Sequence, residues 1–428
     1  MGSMVENSEL KKRALFTVFI LLIYRFGTFV PIPGIDAEVL KKFFESSNAD
    51  MLGMINLFSG GALERMSIFA LNIMPYITAS IIMQLLTSMY KGLEALKKEG
   101  AYGRSKINQY TRYLTIILAF FQSIGVYYAL SSGSDSAFIS DSKIFMWTTC
   151  ISLVGGSVML MWFGEKITLS GVGNGISLII FSGIVSSLPS TTLQIFYLSR
   201  VGTYSWFTAI AFLVIFLAFL MLVSFMEKAQ KRIKIQYPSS AMMRMSSRAM
   251  DQSFLPLKIN ISGVIPPIFA SSILMFPVAV SQFIGDGDNF LSPMLRRGGA
   301  VYLLLFSALI LFFSYFYSSI IFNTEEVANN LKKSNYLVLG VRPGISTSNY
   351  LDKIISRLTL VGALYLIFVC IVPEILITNY SIPLHIGGTG ILIMVNVVLD
   401  LINQIQSYLF SGKYGNSAVK KRRVRVRA

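Results

Sequence analysis

Histidine and cysteine are almost missing from this sequence: His385 is alone of its kind, and the cysteines are Cys150 and Cys370. A structural or catalytic metal centre built on such ligands needs three or four of them close together. Both cysteines sit inside apolar runs, far apart along the chain, which fits small buried hydrophobes better than a disulfide or a metal site. No GxxxxGK[ST] loop is present, so nucleotide hydrolysis by that route is excluded. No cofactor is expected. Charge is scarce too. Asp, Glu, Lys and Arg make up 14% of the 428 residues against 54% apolar, where a soluble domain carries about 25% charged residues. Lys11-Lys12-Arg13 precedes an apolar stretch, but that stretch runs into Arg25 and PIPG without a small-residue cleavage site. It reads as a retained first span and not as a leader peptide.

What is abundant is long apolar sequence. A bilayer core about 30 Å thick needs about 20 helical residues. Spans are expected at 14–30, 74–90, 113–130, 144–163, 176–188, 206–226, 260–283, 301–322, 358–373 and 388–410. The segments between them alternate in charge. The N-terminus, 91–112, 164–175, 227–258, 323–357 and 411–428 hold 29 Lys and Arg, the opposite set holds 7, and Arg25 inside a span completes the 37. The positive-inside rule puts both termini in the cytoplasm, and an even number of spans requires the same. Ten spans divide into 1–5 and 6–10, which makes the second half inverted relative to the first. The division rests on count, because no residue-level repeat joins the halves.

The stretch INLFSGGALERMSIFALNIMPYITASIIMQLL, 55–86, organises the rest. Gly60-Gly61 punctuates it. LERMSIFAL is apolar but too short to span. Pro75 breaks the helical pattern, and spanning sequence begins only there. A half-depth apolar segment leading into a span is re-entrant, and such backbone survives at membrane depth only inside protein or a water-filled cavity. On the residues alone, a kinked spanning helix after an ordinary loop stands level with that reading.

FSGGALERMSIFALNIMPYITASIIMQLL resembles the plug and second-helix region of the SecY family, the channel subunits of the bacterial protein translocon. The resemblance extends from IYRFGTFVPIPGID at 23–36, through TLSGVGNGISLIIFSGIV, to GGTGILIMVNVVLDLINQIQSYL at 387–409. It implies an all-α polytopic membrane protein with ten transmembrane helices in two inverted five-helix halves. These would form a clamshell of residues 1–188 and 206–410, hinged at an external loop, 189–205. A short re-entrant plug helix at about 57–72 would include Phe58, Ser59, Gly60, Gly61, Leu63, Arg65 and Ile68. The implied function is passive: unfolded secretory polypeptides cross the cytoplasmic membrane of a bacterium, and membrane-protein helices leave sideways into lipid. The driving energy comes from a partner. The resemblance implies as partners a SecE-type clamp helix, a SecG-type subunit, a SecA-type motor ATPase, the ribosome, signal-sequence-bearing polypeptides and membrane lipid.

Carried over residue by residue, the family's pore ring falls on Ile73, Ile77, Ile180, Ile184, Ile268 and Ile393. In the fifth span, ISLIIFSGI also allows a one-turn shift. Apolar rings seal by dewetting, although isoleucine in a membrane helix is usually plain packing. Thr78, Ser80, Gln122, Ser271, Ser272 and Phe276 are the implied lateral-gate contacts. Pro266-Pro267 makes the seventh span pliable. Arg342 in VRPG matches the family's contact for the motor or ribosome. Arg244, Arg248 and Lys258 are the candidates in 227–258, whose middle, SSAMMRMSSRAMDQS, departs from the family's denser basic cluster. The charge of these loops also suits anionic lipid or RNA, and positive-inside topology alone accounts for it equally well. KKRRVRVRA is expected to be an unstructured basic tail.

Other readings rest on features the chain lacks. GVGNG at 171–175 has no preceding strand and no lysine to make a phosphate loop, so its glycines and Asn174 are expected to turn the chain into the fifth span. Arg25, near the outer end of span one, is expected to snorkel. Asp400, towards the cytoplasmic half of span ten, suits a carboxylate hydrogen-bonded within the bundle. A solute transporter would need a polar midplane site, and a membrane enzyme would need clustered Asp, His or Cys within its spans.

Overall fold

The computed structural model describes residues 2–34, 59–131, 143–202, 205–236, 253–284, 299–380 and 387–425. In chain order the helices are α1 (Gly2–Gly27), α2 (Met74–Met89), α3 (Lys91–Lys98), α4 (Ala101–Ser131), α5 (Lys143–Ser170), α6 (Gly175–Arg200) and α7 (Trp206–Lys228). They continue as α8 (Ile265–Ile284), α9 (Ala300–Ile321), α10 (Thr324–Lys333), α11 (Ile345–Tyr380) and α12 (Gly388–Arg425). Among the described residues, 6 helices are long and apolar enough to cross a membrane. α2 and the start of α8 are shorter apolar helices. Only 6% of the apolar window of α7 is buried. A helix apolar all round that is not buried in protein belongs in lipid.

Pro75 does not kink a longer helix. It sits in the first turn of α2, where its missing N–H has no intrahelical partner to lose. α6 opens as GVGNG requires: the Asn174 side chain accepts from the Ile176 N–H at 3.2 Å. Gly175 lies so close to α5 that a Cβ there would sit 2.0 Å from the Gly164 carbonyl oxygen. No larger residue fits.

Three expectations are corrected. The fifth span does not end at 188, because α6 runs through Pro189 to Arg200 and leaves only a short link before α7. Around Pro189, the Thr191 hydroxyl donates to the Ser187 carbonyl at 2.7 Å, and the Thr192 hydroxyl donates to the Leu188 carbonyl at 3.0 Å. The basic C-terminal run is not an unstructured tail, since α12 extends to Arg425 and no proline stops it. The chain is also not purely helical. β1 (Gln230–Gln236), β2 (Ser253–Lys258) and β3 (Leu337–Val338) form an antiparallel sheet in the order β2-β1-β3. QKRIKIQ alternates, burying Ile233 and Ile235 and exposing Arg232 and Lys234. Ile233, Leu257 and Val338 pack with Leu351 and Ile355 of α11 into a small separate core. Positive charge had marked this segment as a loop, while its period of two marks a strand.

The helices pack in two groups. α1, α2, α4, α5 and α6 contact one another, and so do α8, α9, α11 and α12 with α7 on α12. The groups meet where α8 crosses α2 and α4, and where α12 lies against α1 and α6. The largest hydrophobic core lies between them and draws residues from both.

Candidate functional site

Ser59 is helical, but residues 60–73 are turns and bends with one isolated bridge, Ser67 to Pro31, and not a helix. Two of their non-glycine residues, Met66 (φ 41°) and Asn72 (φ 50°), adopt left-handed backbone. Ser59, Ala62, Leu63, Met66, Ser67, Ala70 and Asn72 are nonetheless buried. Buried irregular backbone must find its hydrogen bonds, and these do. Met66 N bonds Leu63 O, and Ser67 N bonds Ala62 O. Ile32 N bonds Met66 O and Ile68 N bonds Val30 O, which clips the segment to the chain after α1. Leu63, Met66, Ala70 and Leu71 form a second apolar cluster with Ile32, Tyr127, Phe145 and Leu153.

Arg25 does not snorkel. Its Nη1 turns inward and donates to the Gly60 carbonyl at 2.9 Å and to the Ser186 hydroxyl of α6 at 3.0 Å. The guanidinium also lies 4.8 Å from the Phe29 ring centre, and Arg65 covers the same ring at 4.3 Å. The Tyr24 hydroxyl donates to the Ser59 carbonyl at 3.4 Å. One charged side chain thus joins α1, the buried segment and α6. A charge within a span is a functional candidate by default. That signal stood in the sequence, but depth alone could not show which way the side chain points.

α5 passes directly behind the segment. A Cβ at Gly156 would lie 2.0 Å from the Ile68 carbonyl oxygen, so glycine allows the backbones to touch. Gly156→Leu is expected to push the segment outward. Protease or alkylating-reagent access to a cysteine placed at Ile68 should rise several-fold without loss of the folded protein. Access unchanged from the parent would show that the contact does not hold the segment.

The segment ends at a small cavity. Ile73, Ile77, Ile180, Ile268 and Ile393 line one cavity together with Asn72, Met74 and Ser271. These side chains come from the start of α2 and from α6, α8 and α12. The cavity holds about 20 Å³, room for about one water. Among the described residues, no charged group lines it. Of the six isoleucines named from the sequence, Ile184 is the exception. It lies one turn further along α6 and is fully buried in the main core. Asn72 and Ser271 were not foreseen in the lining.

At the seam, Phe269 of α8 packs with Ile81 of α2 and Phe313 of α9. Phe269 and Phe313 meet edge to face, 5.5 Å between ring centres. The hydroxyls of Ser271 and Ser272 both bond the Ile268 carbonyl at 2.9 Å, and Thr78 bonds the Met74 carbonyl at 3.0 Å. These hydroxyls are turned to their own helices, so apolar contact holds the seam there. Ser80 and Gln122 are half-buried. The side chain of Phe276 lies outside the described residues. On the other side of α4, Arg112 grips Glu165 of α5 through two bonds of 2.7 Å.

Arg342 and Lys258 are exposed. The Arg342 carbonyl accepts from the Thr347 hydroxyl at 2.9 Å, in the turn that opens α11. Lys258 closes β2, opposite Gln230. Phe58, Arg244 and Arg248 lie outside the described residues.

Fold and site together define a membrane channel protein: a lipid-exposed helical bundle around an uncharged constriction, with a buried irregular segment leading into it. Sequence comparison gives the lineage. The SecY family model matches residues 67–402. The "Protein translocase subunit SecY" of Rickettsia bellii is 50% identical over 422 residues, which cover 97% of each chain. The chain belongs to the SecY family. Among solved structures, "The structure of a protein conducting channel" shares its fold with a TM-score of 0.67 at 19% identity, over 94% of this chain and 93% of that one. The channel in "Sec61 in the Canine ribosome-channel complex from the endoplasmic reticulum" gives 0.63 at 18% identity, over the same shares.

Proposed function

We propose that this chain is the protein-conducting channel of a bacterial translocase, closed at an isoleucine ring. The convergence of five isoleucines on a cavity of about 20 Å³ carries the reading. An apolar constriction that narrow stays dry and blocks ions. A partner feeds an unfolded chain from the cytoplasmic side. Residues 59–73 swing away, and the isoleucines fit around the moving chain. Apolar segments leave through the seam between α2 with α4 and α8 with α9. The translocase subunit is no enzyme, and its partner supplies the energy.

Ten spans in two inverted halves place both termini in the cytoplasm of the bacterial inner membrane. The helix groupings and the charge asymmetry of the loops support this. The short link between α6 and α7 joins the halves and serves as the external hinge. The cytoplasmic sheet and the Arg342 turn form the docking face for the ribosome and a SecA-type motor. Arg232, Lys234 and Lys258 make it strongly positive, as a surface for RNA or an acidic partner must be. SecE-type and SecG-type subunits complete the complex within the lipid.

A photocrosslinker at Ile77 and another at Ile268 test the reading against a secretory polypeptide arrested mid-transfer. Adducts are expected at both positions, and they should vanish when the polypeptide lacks a signal sequence. Absence of adducts at both, in membranes that do export the substrate, would reduce the ring to core packing and favour a solute transporter.

A further inference from the structure

Glu227 is a buried carboxylate that neither the ring nor the seam uses. It sits in the last turn of α7, 6% exposed, immediately before β1. Asn260, 3% exposed, follows β2 and precedes α8. The Asn260 amide donates to Glu227 Oε1 at 2.7 Å and to the Gly263 carbonyl at 3.1 Å. Its own oxygen accepts from the Ser262 hydroxyl at 3.2 Å. Both amide protons and the amide oxygen are therefore engaged. The strand ladder runs down to this point, since beyond Gln230 and Lys258 the Ile259 N–H donates to the Ala229 carbonyl at 3.1 Å. On the far side, Gly263 takes a left-handed turn (φ 64°), and α8 begins two residues later. α11 presses on the same spot: a Cβ at Gly362 would lie 3.1 Å from the Ile259 carbonyl oxygen. The charges acting on Glu227 are Lys258 at the end of β2 and Asp400 on α12.

The arrangement has a mechanical consequence. The basic sheet stands on two legs, α7 and α8. Only the second leg carries Ile268, Phe269 and Ser271, and so only the second takes part in constriction and seam. The Glu227–Asn260 pair pins the top of that leg to the fixed one. A hydrogen bond between buried polar groups is directional and costly to leave unmade, so a tilt of the sheet is delivered to the first turn of α8 and not absorbed in the linker. Pro266-Pro267 falls in the first turn of α8, where the missing N–H groups cost no intrahelical bond.

We propose that Glu227 and Asn260 are positioning residues that couple partner docking on the cytoplasmic sheet to movement of α8 at the seam. The proposal rests on the channel reading above and names the joint through which the docking face controls the gate.

Cysteines placed at Ile81 and Phe269, whose side chains share one cluster, report the closed seam through the rate of linkage by a short bismaleimide. The assay uses the complete complex in proteoliposomes, with and without added ribosomes. In the parent, docking is expected to slow linkage at least about fivefold, the lower end of ordinary allosteric coupling. Glu227→Ala and Asn260→Ala are expected to reduce that to less than about twofold while ribosomes co-sediment as before, and the double variant should be no worse than either single one. Glu227→Gln, whose amide oxygen still accepts from Asn260, should restore the response. A full response in Glu227→Ala would overturn the joint and leave the gate standing. Ribosome binding lost in parallel would also overturn it, showing that the pair only holds the sheet together. A parent seam that ignores ribosomes altogether would overturn the gate reading itself, and the joint with it.

Discussion

Ile393→Asn is expected to open the channel to ions and to substrates with poor signal sequences. Ile393 is 5% exposed and lines the constriction from α12, opposite residues of α2, α6 and α8. In the closed state the new amide would be buried among isoleucines. A buried polar group with incomplete hydrogen bonds costs about 1–3 kcal/mol, and lost isoleucine packing adds about 1 kcal/mol or more. On the proposed channel reading the same position faces water or a polypeptide in the open state, and most of that cost vanishes. The difference, about 3 kcal/mol, is roughly a hundredfold in the ratio of open to closed channels. Asn72 and Ser271 already lie in the lining, so a third polar group would give water the partners it needs to enter.

Two measurements check this: potassium efflux from cells or proteoliposomes carrying the idle channel, and export of a reporter with a crippled signal sequence. Both should rise steeply in Ile393→Asn. Ile393→Leu conserves volume and should cost less than about 1.5 kcal/mol, leaving both near the parent. If the asparagine variant neither leaks nor exports the crippled reporter, the cavity is not the seal.

Much of this site was legible before the structure. Long apolar runs and alternating loop charge marked most of the helices, because lipid admits little else. The start of α2 at Met74 was readable from Pro75, and the cap of α6 from Asn174. That five of the isoleucines share one cavity was legible only through resemblance, since an isoleucine that faces a cavity and one that faces a neighbour have the same local sequence. Ile184 illustrates the limit: it and Ile180 are one turn apart on one face of α6, and only packing separates them. The sheet was hidden for another reason. Its strands are short, basic and separated by sixteen residues between Gln236 and Ser253, so charge drew attention away from the alternation of Ile233 and Ile235. The course of α6 past Pro189 to Arg200 was hidden because a proline marks a probable helix boundary in sequence and not a certain one. Arg25 was visible as the lone basic residue in a span, yet its partners, Gly60 and Ser186, lie 35 and 161 residues away in sequence.

That distance is why Arg25→Ala is expected to matter second only to the ring. The guanidinium joins the Gly60 carbonyl to the Ser186 hydroxyl. No other charged side chain among the described hydrogen bonds joins these elements. Hydrogen bonds to a charged group are worth about 1.5–3 kcal/mol. The Phe29 contact adds about 0.5–1 kcal/mol, as at a partly exposed site, but Arg65 covers the same ring and retains part of that. About 2 kcal/mol remains to be lost from the closed state, roughly thirtyfold in the population of the displaced segment. The loss falls on the closed state alone, because displacement of 59–73 breaks the Gly60 bond in any case. Idle conductance should therefore rise while export of a normal substrate proceeds. Both bonds leave the one nitrogen Nη1; Arg25→Lys keeps the charge but ends in a shorter-reaching ammonium, so it should recover part of this and lie between the two. Ser186→Ala, which removes one acceptor and leaves the Gly60 carbonyl, should leak less than Arg25→Ala. Equal leak from the two would mean that the arginine acts through α6 alone and that residues 59–73 are held shut by their apolar cluster.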